Sequence, residues 1–318
     1  MTRVFWRTIY VRTLPVLLAL LPVDALGAEL WLRESLLQAY RGKILVTVQA
    51  TIDQLGKKAH PLAEDCDLHV PLRSDAIRLP LLGELKNACS MRPANSTDRY
   101  WSQRIEAEVG AEPLEVQGVF RIWPEHPPEE GERQCECDPL PDYPHSNPDH
   151  MVELHPVTRI GPLDFSEHVR EIRKGNQRYR GSQTSRLKAA LGGKTITIER
   201  EEENGERYIV IQGPKTGYNH WTLNAIVRSP PRPVADGHSF SVDVVYRRRI
   251  VKADLPVVTV RGTKADRWVK DQHPAVGQEV TLFGIVRLEV DAILDAVGDE
   301  PKVISMPYEL VILDIASP

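Results

Sequence analysis

Short runs of alternating apolar and polar residues, each ended by a turn, recur along almost the whole of this chain. KILVTVQATID (residues 43–53), CDLHVPLR (66–73), RLPLLGELKNA (78–88), LEVQGVFRIW (114–123) and HMVELHPVTRI (150–160) share the pattern. A period of two, with β-branched enrichment, specifies strands that bury one face. Between the third and fourth runs, Ser96 or Thr97 can cap a helix reaching about Val109, with Asp98 near its positive end. Three strands, a helix and two strands is the chain order of a five-stranded OB barrel. The chain therefore reads as mainly β, with an OB-like domain in residues 29–163 that opens on a short helix over 30–40.

The pattern resumes after a break. KTITIERE and ERYIVIQG flank Asn204-Gly205, a hairpin turn signal. YNHWTLNAIVR, HSFSVDVVYRRR, LPVVTVRG, GQEVTLFGIVRLEV and YELVILDI follow, with a helix expected over 263–270. A helix again precedes the last two strands. Residues 194–318 thus read as a second β-rich domain, OB-like or a small sandwich. Between the halves, Asp164-Phe165-Ser166-Glu167 has capping-box spacing and is expected to start a linker helix that carries the charged run to Arg180. The linker spans 164–193 and closes on Gly192-Gly193.

The first 28 residues predict export. Arg3, Arg7 and Arg12 precede the ten-residue apolar run LPVLLALLPV, and small residues follow at 25–28. That order is a secretory signal peptide, and the run is far short of the roughly 20 residues a membrane span needs. A periplasmic or secreted protein without a stable membrane anchor is expected. Removing the signal leaves 37 basic against 43 acidic residues, a net charge of -6. Such a balance offers no bulk attraction to phosphate backbones, so no nucleic-acid partner is expected. Arg247-Arg248-Arg249 is the one local basic stretch considered for that role, and a solvated strand end explains it as well.

Four cysteines in an exported chain read first as disulfides. Cys66 begins one strand and Cys89 ends the next, positions that face each other in an antiparallel hairpin, so Cys66–Cys89 is the expected bridge. Cys135 and Cys137 lie in an acidic, proline-rich loop and are left open between a small ring, a soft-metal pair and free thiols.

Two strands carry an acid two residues before a histidine. In DCDLHV, Asp65, Asp67 and His69 share a face opposite Cys66, Leu68 and Val70, about 6.7 Å apart along the strand. In MVELHPV, Glu153 and His155 oppose Val152 and Leu154. If these outward faces meet, His69 and His155 with a carboxylate could hold zinc or another divalent ion, with His126 as a further ligand. A metal-bound water could then attack an ester, amide or phosphate, with Glu153 or Asp67 taking the proton. The plain alternative is the wet face of half-buried strands. Trp101, Trp123, Trp221 and Trp268 could line a sugar groove or simply pack. The acidic stretch 129–132 reads as a solvated loop.

Taken together, DCDLH, LPLLGELKNA, GVFRIWPEH and NPDHMVELHPVTRI, followed by Gly217-Tyr218-Asn219, resemble a family of uncharacterised exported bacterial proteins with D-x-D-x-H, GV-x-R-x-W-x-EH and NP-x-H-x-x-E-[IL]-HP motifs. The resemblance spans roughly residues 43–295 and carries no known activity. It singles out Asp65, Glu84, Asn87, Arg121, Trp123, Glu125, Asn147, His150, Tyr218 and Asn219 as an implied binding surface, beside Asp67, His69, His126, Glu153 and His155. Cys66 and Cys89 lie outside its pattern. The leading expectation is a non-enzymatic binding or interaction module for a small molecule, a glycan or a peptide or protein partner. A metal-dependent hydrolase is the alternative, and a structural envelope protein a third.

Overall fold

The computed structural model describes residues 29–110, 112–129, 132–217 and 219–317. The expected signal peptide and Tyr218 lie outside the described residues. The first barrel is built from β1 (Leu45–Ile52), β2 (Leu68–Ser74), β3 (Ile77–Leu85), β4 (Leu114–His126) and β5 (His150–Ile160), with helix α1 (Tyr100–Glu106) between β3 and β4. β1 pairs with β2, β2 with β3, β3 in parallel with β5, β5 with β4, and β4 with β1. The sheet closes on itself in OB order. The alternation read from the sequence sets the faces. Leu68, Val70 and Leu72 lie opposite Leu85, Gly83 and Leu81 and fill the barrel with Phe120, Ile122, Val152 and Leu154. Gly118 lets β4 approach β5, because a Cβ there would stand 2.8 Å from that of Leu154.

The second barrel repeats the plan. Its strands are β6 (His220–Val227), β7 (Gly237–Tyr246), β8 (Arg249–Thr259), β9 (Glu279–Leu288) and β10 (Tyr308–Ala316). Helix α2 (Lys264–Gln272) sits between β8 and β9, and the Thr263 hydroxyl caps it by accepting from Asp266 N. β8 pairs in parallel with β10, as β3 does with β5, and β6–β7 and β6–β9 close the ring. Of the two expectations for this half, the barrel is the one realised.

A third sheet ties the halves together, in the order Lys302–Ser305, Thr195–Glu203, Glu206–Gln212, Glu29–Arg33 and Arg133–Cys135. The Asn204-Gly205 turn joins its second and third strands, with φ of 53° and 77°. Each barrel sends an edge strand into this sheet from the loop between its fourth and fifth strands. The opening helix is shorter than expected, Glu34–Tyr40, because residues 29–33 are drawn into the sheet instead.

The barrels also clasp each other through two buried arginines. Arg121 on β4 donates from Nε to the Val286 carbonyl at 2.8 Å, and Arg287 on β9 donates from Nη1 to the Phe120 carbonyl at 2.7 Å. Each arginine thus reaches the residue next to the other. Arg121 pairs with Glu153, and Arg287 with Glu309 at 2.7 Å.

The linker departs from expectation. Asp164 Oδ1 accepts from Ser166 N at 2.8 Å, but only one 3-10 turn follows, Ser166–His168. Arg173–Lys174 and Gln177–Arg178 then form a small hairpin, and the helix of this segment is Thr184–Leu191. Tertiary contacts override the local helix signal. Asn87 Nδ2 donates to the carbonyls of His168 and Arg170, at 2.8 and 3.1 Å, and Val169 and Ile172 are fully buried. α1 is also shorter than the expected helix, and no side chain caps it.

Candidate functional site

The barrel register gathers the acid and histidine residues across four strands. His69 on β2 lies opposite Glu84 on β3, and Arg121 on β4 lies opposite Glu153 on β5. The parallel pairing sets Leu82 against Glu153, which brings Glu84 level with His155. The outward face of each strand supplies its polar residue, as the period of two requires. The expectation that this face is wet is corrected by burial. Asp67 and His155 are 0 % exposed, Glu153 1 %, Glu84 4 % and His69 8 %. The linker and the second barrel lie over the face: His168 Nδ1 bonds the Lys86 carbonyl at 3.0 Å, and His220, the first residue of β6, reaches Lys86 Nζ.

Two connected polar clusters result. In the first, the Lys86 ammonium donates to Asp67 Oδ2 and His220 Nε2, with His155 Nε2 3.9 Å from Asp67 Oδ2. In the second, Glu153 is the hub. Arg121 Nη1 donates to its Oε2, His155 Nδ1 lies 3.1 Å from that oxygen, and His150 Nε2 lies 3.2 Å from Oε1. His155 Nδ1 is also 3.1 Å from Glu84 Oε2, while His69 Nε2 is 3.8 Å from Glu84 Oε1. Asp67 Oδ1, Glu84 Oε2, His155 Nε2 and His220 Nδ1 are buried without a hydrogen bond among the described residues.

Electrostatics follow from burial and crowding. Desolvation raises Asp67, with Asp65 adding to the rise and Lys86 opposing it, to about 7. Glu84 is held well above the usual carboxylate range by burial first and then by Glu153 and Asp67. Glu153 falls well below it: burial pushes up, but Arg121, His150 and His155 together outweigh that. Burial holds His155 and His69 down to about 3, so both imidazoles are neutral near pH 7.

The remaining expected site residues scatter. His126 is exposed and lies against His150, ring centroids 5.2 Å apart and planes tilted by 31°, and it joins neither cluster of potential ligands. Trp123 is 0 % exposed and belongs to the barrel core, as does Trp221, so neither serves a surface. Asn87 is a structural tie at a left-handed position, φ 56°. Glu125 is half-buried, with Oε2 3.5 Å from Arg121 Nη2. Asp65 holds His60 Nδ1 at 3.0 Å. Asn147 and Asn219 are half-buried, each with an unpartnered Oδ1. Lys86 and His220 complete the clusters; Lys86 is not singled out by the sequence, and His220 stands there only as part of a polar-aromatic run, residues 218–221, that could form a binding edge. Lys86 follows Glu84 by two on the same strand face, a readable signal, whereas nothing in His220's neighbourhood announces that the second barrel docks there.

The Cys66–Cys89 disulfide is present, with Cα atoms 5.0 Å apart, and Cys135 is bridged to Cys137. Among the described residues, no helix is long and apolar enough to cross a membrane.

Fold and site together define a class: two OB barrels clamped face to face over a buried acid–histidine–lysine core. No protein-family model matches the chain, and no curated protein is found to resemble it.

Proposed function

We propose that this chain is an exported, non-enzymatic binding protein that takes an acidic, apolar-studded peptide segment of a partner on its second barrel. The observation that carries the reading is the open hairpin between β7 and β8. OB barrels bind ligands across their second and third strands, which here are β7 and β8. In the first barrel the matching face is covered. In the second, Arg247, Arg248, Arg249 and Ile250 stand exposed, Ile250 by 57 %. None of the three arginines forms an ion pair among the described residues. Ala225, Ile226, Val245 and Ile250 line a groove of about 740 Å³ beside Arg247 and Arg248. Its lining includes no aromatic ring on which a sugar could stack, and two arginines against the single carboxylate of Glu279 leave a net positive charge that favours carboxylates flanking an apolar side chain. Export is supported by the disulfides, which persist in oxidising compartments, and by the basic-apolar-small order of residues 1–28.

A hydrolase using Glu153, Asp67, His69 and His155 is disfavoured, because a scissile bond needs access that a sealed cluster denies. The test is fluorescence anisotropy of the mature chain with a labelled peptide alternating Glu and Leu, beside its Gln–Leu counterpart and a single-stranded oligonucleotide. Binding of the acidic peptide alone, weakened at least tenfold in Arg247→Glu/Arg248→Glu, is expected. Equal binding of the neutral peptide, or preference for the oligonucleotide, contradicts the reading.

A further inference from the structure

The His150 ring has a forced tautomer. Its Nδ1 lies 2.6 Å from the Pro148 carbonyl, which can only accept, so Nδ1 carries the hydrogen. In the neutral ring Nε2 is then a lone pair, and it points at Glu153 Oε1 from 3.2 Å. An acceptor facing a carboxylate at that distance, fully buried, needs a cation or a second proton between them. Glu84 adds a further carboxylate: one ligand atom each of Glu84, His150 and Glu153 all lie within 4.8 Å of one another.

We propose that Glu84, His150 and Glu153, with His69 standing 3.8 Å from Glu84 beside them, hold one divalent transition ion of the zinc type. One imidazole with two carboxylates forms a borderline nitrogen–oxygen donor set that suits this class. Ligands about 2.0–2.1 Å from a tetrahedral ion are roughly 3.3–3.4 Å apart; the His150–Glu153 contact is 3.2 Å, and the ligand atoms of the trio all lie within 4.8 Å of one another. The supporting contacts have the arrangement that orients metal ligands. His150 Nδ1 donates to a backbone carbonyl, Arg121 holds the other oxygen of Glu153, and His155 Nδ1 stands by the other oxygen of Glu84. The neighbouring trio of Asp67, His155 and His220 is a poorer site, because the Lys86 ammonium already occupies the cation's place between Asp67 and His220. Cys135 and Cys137, near Glu203, are committed to their disulfide. With its ligands on β3 and β5, all of them buried, the ion is a clamp on the first barrel rather than a reaction centre.

The test uses the full mature chain, unfolded in urea with disulfides intact and refolded with zinc or with chelator. One equivalent of zinc retained through gel filtration is expected, together with a higher Tm than the chelator-refolded protein. Glu84→Gln and His150→Gln should each lose at least nine-tenths of the metal, and His220→Gln should keep it. Because the first two variants can fail to fold, the wild-type chain is also read by imidazole nitrogen NMR, where His150 Nε2 should carry the metal-bound shift in the zinc form. Sub-stoichiometric zinc with His150 as an imidazolium in both preparations overturns the proposal. So does metal lost in His220→Gln but kept in Glu84→Gln.

Discussion

Arg247 and Arg248 occupy a two-residue turn with φ of 48° and 63°, a backbone region that suits Asn and Gly. A residue with a Cβ there costs on the order of 1 kcal/mol, and such outliers gather where function holds them. Arg247→Asn/Arg248→Gly should therefore raise the unfolding free energy by about 1 kcal/mol in urea titrations while abolishing acidic-peptide binding. Stability unchanged or lowered would show that the turn stores no strain. The buried residues behave oppositely. Arg287→Met would strand the Glu309 carboxylate, and removing one partner of a buried pair costs about 3–5 kcal/mol. Adding Glu309→Gln should recover part of that loss. Equal destabilisation in the single and double variants would mean that Arg287 acts through its bonds to the Phe120 and Lys43 carbonyls rather than through Glu309.

At the scale of elements, the strand order of the first barrel is legible because each run of period two is short and cut by turn residues, whereas the second half reads equally as a barrel or a small sandwich. What composition could not reveal was which polar faces stay wet. Asp67, His69, Glu153 and His155 have the alternation of an exposed face, and the docking of His220 and the 165–172 segment beside Lys86 and Asn87 covers it. Linker residues 164–167 illustrate the same limit: a capping box is a local preference, and the Asn87 bonds to His168 and Arg170 win over it. The bridge expected between Cys66 and Cys89 is present because it joins the ends of a hairpin whose register is set by the barrel. Closing a loop across a sequence separation of 23 residues stabilises by about 3 kcal/mol on chain-entropy grounds. Cys66→Ala/Cys89→Ala should lose that amount in denaturant, and a loss under about 1 kcal/mol would place the constraint elsewhere.

For the whole molecule, buried neutral histidines make stability depend on pH. Burial holds His168 down to about 4, against an ordinary 6.5, although its bond to the Lys86 carbonyl pulls the other way. The unfolded chain takes up this proton below about pH 6.5 and the folded chain only near 4, so its contribution is intact above 6.5 and declines as pH falls to 4. Asp67, raised to about 7, acts in the opposite sense, because its contribution is lost as pH rises through that value. Comparing wild type with His168→Gln isolates the first effect: the wild type should lose about 2 kcal/mol more between pH 7 and pH 5. Identical pH slopes would remove His168 from the account.

The central claim is that the acid–histidine constellation is a sealed joint between two barrels. Diethyl pyrocarbonate labelling of the native protein, mapped by mass spectrometry, tests it most directly, since the reagent needs an accessible neutral imidazole. Exposed His126, His145 and His273 should label readily, while His150, His155 and His220 should stay unmodified until the chain is unfolded. Labelling of His150 and His155 at rates comparable to His126 would contradict the claim and return the cluster to the surface as a reachable active site.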